Sequence, residues 1–342
     1  MGHAGTPVHA ADGCATVTAV GRVWKVVRKY GDFAPFPVML EAGMLLAQLR
    51  HLRGALGWDG HAMETSRMTA ICQGELELPV FSETIKERTF DIDALVVRDA
   101  TLATQSASMH DVPSFPHLGF FMGLFGSASA PGPEVRIDDV AAAAPGWVPA
   151  DLGFLETMRL RHSANDRGGM APRMEDEIDL LPRLSTLAAA IGARRARLPG
   201  EARMDVVMLW PGRSAPAAGV YDRQARPLAV LDREQVAVVL NGALSSPELR
   251  YNLQAHSMLV LFLVDPQGEG MEEPAAFRDA HVAAGACAQD FCLAAAALHL
   301  FARPVRMLQE RVMESALQIK GKIVYALLCG TTRATNVCAE LL

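Results

Sequence analysis

Two short groups of residues carry side chains suited to chemistry. Arg161-His162-Ser163 is followed by Asn165, Arg167 and the pair Gly168-Gly169. Arginine donates from a rigid planar fork and glycine lets another group approach the backbone closely, so this string suits a phosphate or a polyhydroxyl chain. The same string equally serves as a polar helix end running into a surface turn. The second group is Lys29-Tyr30. Either side chain can accept a proton once its surroundings lower its pKa, although a Lys-Tyr pair is also ordinary surface.

Each group precedes one of two similar stretches. Val38 to Gln48, continuing to Gly57, resembles His281 to Gln289, continuing to His299. The first reads as a helix from about Val38 to Leu56, entered through Pro35 and Pro37 and ended by Gly57 and Gly60. Leu45, Leu49, Leu52 and Leu56 fall on one of its faces. Val17 to Arg28 alternates weakly, and strand-like runs follow at Met68 to Leu78 and Arg88 to Val97. A spaced repeat of this kind predicts architecture more firmly than any single motif.

Residues 127–153 hold Ser-Ala-Ser-Ala-Pro-Gly-Pro, four alanines and Pro-Gly-Trp-Val-Pro, which reads as a linker between residues 1–126 and 154–342. Beyond it the expected elements are a helix carrying Leu155 to Arg161 and another from Glu175 to Ile191. Strands are expected at Met204 to Trp210, Gly219 to Tyr221 and Pro227 to Leu231, with a helix from Arg233 to Ala243. The almost wholly apolar run His256 to Val264 reads as a buried central strand, and Lys322 to Cys329 as the last. Strict βαβ alternation is missing, and no GxGxxG follows a strand. The expected fold class is therefore α+β, a mostly antiparallel central sheet flanked by helices.

The 342 residues are 50% hydrophobic and 20% charged, with a net charge of −6. Such a chain buries a sizeable core, and its charge argues against general binding to nucleic acid or anionic membrane. The apolar run from Ala280 to Phe301 is interrupted by His281, Gln289 and Asp290 and reads as a buried helix, not a membrane span. Cys14, Cys72, Cys287, Cys292, Cys329 and Cys338 show neither CxxC pairs nor zinc spacing, so no metal is expected and the thiols read as reduced. With no secretory leader at Met1-Gly2-His3, the expectation is a cytoplasmic protein. His110 and His117 sit in a Pro-containing loop before Phe120-Phe121-Met122, and Asp265 with Glu269 to Glu273 forms an acidic loop.

Arg161-His162-Ser163 resembles the flavin-binding start of the nitroreductase family, where such a triplet contacts the FMN phosphate and ribityl groups. The next basic position of that pattern is Asn165 here. Gly219-Val220-Tyr221-Asp222 with Leu228 to Leu231 resembles a hairpin of the subgroup that oxidises peptide azolines. The Ala284-Gly285 helix with Gln289, followed by Arg303-Pro304-Val305-Arg306, is similar to the helix and loop beside the isoalloxazine ring. Leu328 to Arg333 is similar to the closing strand and its phosphate-contacting base. Lys29-Tyr30, ahead of Leu40-Glu41-Ala42-Gly43, resembles the Lys-Tyr pair of azoline dehydrogenases. Where that family has a Ser/Pro/Gly-rich flavin-lining segment, this chain has Ala193 to Gly200.

The resemblance implies a nitroreductase-like tandem pseudo-dimer with a truncated first copy. Its cofactor would be FMN, contacted by Arg161, His162, Ser163, Asn165, Gln289, Pro304, Val305, Arg306 and Arg333. Lys29 and Tyr30 would be the catalytic pair. The implied reaction is dehydrogenation of an azoline or related residue in a ribosomal peptide during natural-product biosynthesis, with partner modification enzymes and further homo-oligomerisation as accompanying expectations. Two alternatives stand beside it: a flavin-free member that binds peptide or partner enzymes, and a general FMN reductase of nitro or ene compounds.

Overall fold

The computed structural model describes residues 14–21, 26, 29–56, 59–62, 78–86, 154–163, 204–210, 218–222, 226–243, 258–265, 274–306 and 308–330. The long segment Arg88 to Val97, the 127–153 linker, the helix at Glu175 to Ile191, both loop histidines, Asn165 and Arg333 lie outside these residues. So do most of Met68 to Leu78 and all of Glu269 to Glu273.

In the second part of the chain, β4 (Met204–Trp210), β5 (Gly219–Asp222), β6 (Pro227–Val230), β7 (Met258–Val264), β8 (Phe301–Val305) and β9 (Lys322–Gly330) form one antiparallel sheet. Its order is β6-β5-β4-β7-β9-β8. Every residue of β7 is buried. That follows from its unbroken apolar sequence and its central place, because both faces are covered.

Alternation decides which side chain goes to which face. Val206, Met208, Val260 and Phe262 join one core with the long helix α4 (Pro274–Ala297). Val207, Leu209, Leu259 and Leu261 join another with α3 (Arg233–Gly242) and α5 (Glu310–Ala316). On the α4 side a second layer is added by α1 (Pro35–Leu56), which is why α4 is apolar nearly all round.

Local chemistry fixes the shorter elements. Asp232 caps α3 through Glu234 N–H, and Gln235 Oε1 accepts from Asp232 N–H, a reciprocal capping box. Helix α4 ends with Leu300 N–H on the Ala295 carbonyl and His299 N–H on the Ala296 carbonyl, which requires His299 to take φ 57. Helix α5 is clipped to β9 by buried Glu314, which accepts from Ile323 N–H at 2.9 Å and Lys322 Nζ at 2.8 Å.

The first part repeats a portion of the second. There β1 (Cys14–Gly21), α1, β2 (Asp59–Ala62) and β3 (Leu78–Lys86) build a sheet of order β1-β3-β2, and β7, α4, β8 and β9 follow the same plan with order β7-β9-β8. The two helices cross at matching glycines. A Cβ on Gly43 would collide with the Val282 carbonyl oxygen, and one on Gly285 with the Leu40 carbonyl oxygen. Leu40 and Val282 each stand three residues before the glycine of their own helix, so the crossing is a local pseudo-twofold with an offset of 242 residues (285 minus 43). That offset carries each element start of the first part to within three residues of its counterpart.

The antiparallel sheet flanked by helices matches the expected α+β class. Differences are local. Weak alternation over Val17 to Arg28 corresponds to a strand that ends at Gly21, and Lys29-Tyr30 leads into a 3-10 turn, Gly31–Phe33. Arg303-Pro304-Val305, expected in a loop, lies within β8, where Pro304 and its neighbours pair with β9. Helix α5 and strand β2 were absent from the sequence reading. On α1, Leu45 of the predicted leucine stripe is 50% exposed, whereas Met39, Leu40, Ala42, Leu46 and Ala47 are buried. The close approach at Gly43 sets the face that turns inward, and Leu45 falls off it.

Candidate active site

Polar groups gather where α1 meets the second part of the chain. On β9, pairing passes from Phe262–Tyr325 directly to Leu263–Ile323, leaving Val324 as an extra residue. This bulge reverses the alternation and turns Tyr325 towards α4 and α1 while Ile323 faces the opposite core. The Tyr325 hydroxyl donates to Met44 Sδ at 3.4 Å. Burial pushes its pKa up, the charges at Cys292 and Glu41 add to that rise, and Arg306 and Arg161 pull the other way. Tyr325 thus marks the point that the charges of Glu41 of α1 and of two arginines of the second part all reach.

Arg306 directly follows β8. It is largely buried, with its Cζ 5.2 Å from the centroids of both Phe33 and Phe36, which stack on each other at 5.2 Å. Burial lowers its pKa, against the opposing influence of Glu310 and Tyr325. Phe36 also lies 5.4 Å from the His281 ring. His281 Nδ1 donates to the Phe277 carbonyl at 2.8 Å, so in the neutral ring Nε2 carries only a lone pair. Burial, with the Arg306 charge in support, brings the His281 pKa down to about 4 despite that hydrogen bond. Glu41 reaches water, yet the protein around its carboxyl raises its pKa.

The expected flavin triplet follows α2 (Phe154–Leu160) and lies at the outer edge of β8. The His162 carbonyl accepts from Ala302 N–H at 3.3 Å, and the His162 ring stands 6.4 Å from Phe301. Arg161, His162 and Ser163 are all half-buried, and desolvation lowers the His162 pKa. Burial pushes the Cys292 thiol up to about 12, against the pull of the Arg161 guanidinium, and its S–H donates to the Ala302 carbonyl at 3.8 Å. Lys29 and Tyr30 are exposed, with Lys29 Nζ 5.0 Å from the Tyr30 ring centroid, just before the turn that carries Phe33.

Gln289 is 1% exposed and faces Gln48 of α1 at 3.5 Å. Val305 is buried in the core opposite α4, and Pro304 is half-buried. Cys287 and Cys292 are core residues. Glu41, Met44, His281 and Tyr325 were missed by sequence reasoning. Three of them sit among apolar residues that look like core, and only the bulge and the helix crossing bring them to Arg306.

Among the described residues, no group of three or more His, Cys, Asp or Glu side chains is arranged to hold a metal ion, and no helix is long and apolar enough to cross a membrane. A groove of about 570 Å³ lies on the far side of the sheet beside Leu231, Asp232, Val239 and Leu317. Its Asp232 is occupied as a helix cap, and it contains none of the clustered bases and acids.

Residues 207–331 match the model of the nitroreductase family. A candidate nitroreductase from Anabaena variabilis superposes with a TM-score of 0.62 at 17% identity, covering 94% of this chain and 69% of that one. The chain has a nitroreductase-like fold. Weaker superpositions are found with the microcin synthetase McbBCD of E. coli bound to truncated pro-MccB17, at 12% identity, TM-score 0.39, 61% of this chain and 85% of that one. The nitroreductase CinD from Lactococcus lactis in complex with 4-nitrophenol gives 14%, 0.34, 53% and 90%. Curated proteins gave no match.

The residues present suit a flavin. Arg161, His162 and Ser163 stand half-buried along the edge of β8, and a guanidinium, an imidazole and a hydroxyl are the donors that a phosphate and a polyhydroxyl chain need.

Proposed function

We propose that the chain is an FMN-dependent oxidoreductase that dehydrogenates an azoline or related residue of a ribosomal peptide. The observation that carries this reading is the seam itself: on a nitroreductase-like fold, Phe33, Phe36, Glu41 and Met44 from one repeat meet His281, Arg306 and Tyr325 from the other. FMN would lie against Arg161, His162 and Ser163, with Arg333 and Asn165 completing its phosphate end, and would supply the hydride acceptor. Lys29 or Tyr30 takes the proton lost from the substrate carbon as the hydride leaves. Both stand exposed.

The repeated strand order and the Gly43–Gly285 crossing support a tandem pseudo-dimer whose first copy, residues 1–126, is shortened, with 154–342 as the flavin-holding copy. Purified protein is expected to show flavin absorbance bands and to release FMN. Lys29→Ala is expected to lower peptide dehydrogenation by about 10²-fold or more, the usual contribution of a positioned base, while flavin content stays unchanged. Protein that takes up no added FMN would overturn the flavoenzyme reading. NAD(P)H-driven reduction of nitro compounds without peptide, indifferent to Lys29→Ala, would select a general reductase instead.

One observation favours a second reading, a flavin-free member that binds peptide or partner enzymes. The charge of Arg161 is felt by the Cys292 thiol, which is buried inside the fold. A flavin-free preparation that nevertheless binds a precursor peptide would select it.

A further inference from the structure

We propose that Arg306 and His281, beside the stacked rings of Phe33 and Phe36, form a subsite for a carboxylate of the substrate. Arg306 Nε and Nη1 lie buried without an acceptor. Glu310 Oε1 is 3.8 Å from Nε, close enough to feel the charge but beyond hydrogen-bond length. The rings attract the cation, yet an aromatic face is a poor substitute for oxygen at an N–H. A guanidinium kept from water in this state is costly unless an oxyanion joins it.

His281 supplies the second, separate observation. It is 1% exposed, and its Nε2 also lacks a partner. Arg306 offers donors and neutral His281 offers a lone pair, but the two are not bonded to each other. A carboxyl group offers what each lacks, an oxygen to accept from Arg306 and a proton for Nε2. Elsewhere in the cluster Arg161 adds positive charge, while the raised pKa of Glu41 weakens the local negative charge.

The pseudo-twofold does not repeat these residues. The offset between the crossing glycines carries Arg306 back to Glu64 and His281 back to Met39, neither of which can do the same work. Oxyanion chemistry is shared by a substrate carboxylate and the FMN phosphate. The planar arginine fork suits a planar carboxylate, and Arg161-His162-Ser163 already lies along the β8 edge for the cofactor. Naming the ligand as substrate rests on the proposed function; the presence of an oxyanion site does not.

Acetate, compared with chloride at equal ionic strength, tests the site on the full chain with and without FMN. Acetate is expected to raise the melting temperature saturably and to shift one arginine Nε–H resonance, with one acetate bound per chain. Arg306→Met should weaken that binding about tenfold or more, the loss expected for a charged hydrogen bond. Phe33→Leu, which keeps the guanidinium and loosens its cover, should move the same resonance if Arg306→Met does not fold. Acetate acting no better than chloride, or equally on Arg306→Met, would overturn the subsite. Acetate binding abolished by FMN would overturn its assignment to substrate. Failure of FMN uptake alone strikes the flavin reading and leaves the acetate result on the flavin-free chain intact.

Discussion

His281 shows how one buried group can govern pH behaviour. In the folded chain its pKa is about 4, against 6.5 for the exposed ring, because burial disfavours the imidazolium. The unfolded chain therefore binds the proton more readily between these values. The stabilisation is complete above pH 6.5 and is lost as pH falls through the window towards 4. Its full size is about 3 kcal/mol. His281→Asn retains a donor for the Phe277 carbonyl but cannot titrate. Denaturant midpoints measured from pH 7.5 to 4 should fall more steeply for the native chain than for this variant; parallel curves would contradict the assignment.

At the scale of elements, the crossing of α1 and α4 holds the seam together. Glycine costs a helix about 1 kcal/mol relative to alanine. Here the gain from replacing it is outweighed, because a new Cβ at Gly43 or Gly285 meets a backbone carbonyl that no side-chain rotation can move. Gly43→Ala and Gly285→Ala are each expected to lose about 1–3 kcal/mol or more by thermal denaturation. The double variant should lose less than the sum, since the first substitution already separates the helices. His51 Nε2 to Asp290 Oδ1, at 2.7 Å, ties the same pair further along and should keep them associated.

For the whole molecule, the consequence of the repeat is asymmetry. The two parts share strand order and helix crossing, yet the side chains of the seam are not exchanged by the pseudo-twofold. Tyr325, Arg306 and His281 have Glu83, Glu64 and Met39 at the matching sequence positions, and Glu41 is matched by Ala283. The expected stoichiometry is one FMN per chain, measurable from flavin absorbance against protein mass. Two per chain would mean that the first copy carries a complete site of its own.

Much of the fold was legible in the order of residues. The unbroken apolar run to Val264 can only be a strand covered on both faces, and Asp232 with Gln235 writes the start of α3. The similar stretches Val38 to Gln48 and His281 to Gln289 announced a repeat, and Arg306 fell within the resemblance that suggested a cofactor. What the sequence could not reveal depends on contacts between distant segments. Tyr325 reads as one more core residue until the Val324 bulge reverses its face. His281 reads as part of an apolar helix until α1 brings Phe36 beside it. Leu45 reads as core until the glycine crossing turns it to water. Local pattern determines which elements form, because propensity and periodicity act over neighbouring residues. Which side chains share a buried site was decided by the packing of two helices and one extra residue in a strand, and these are properties of the assembled chain.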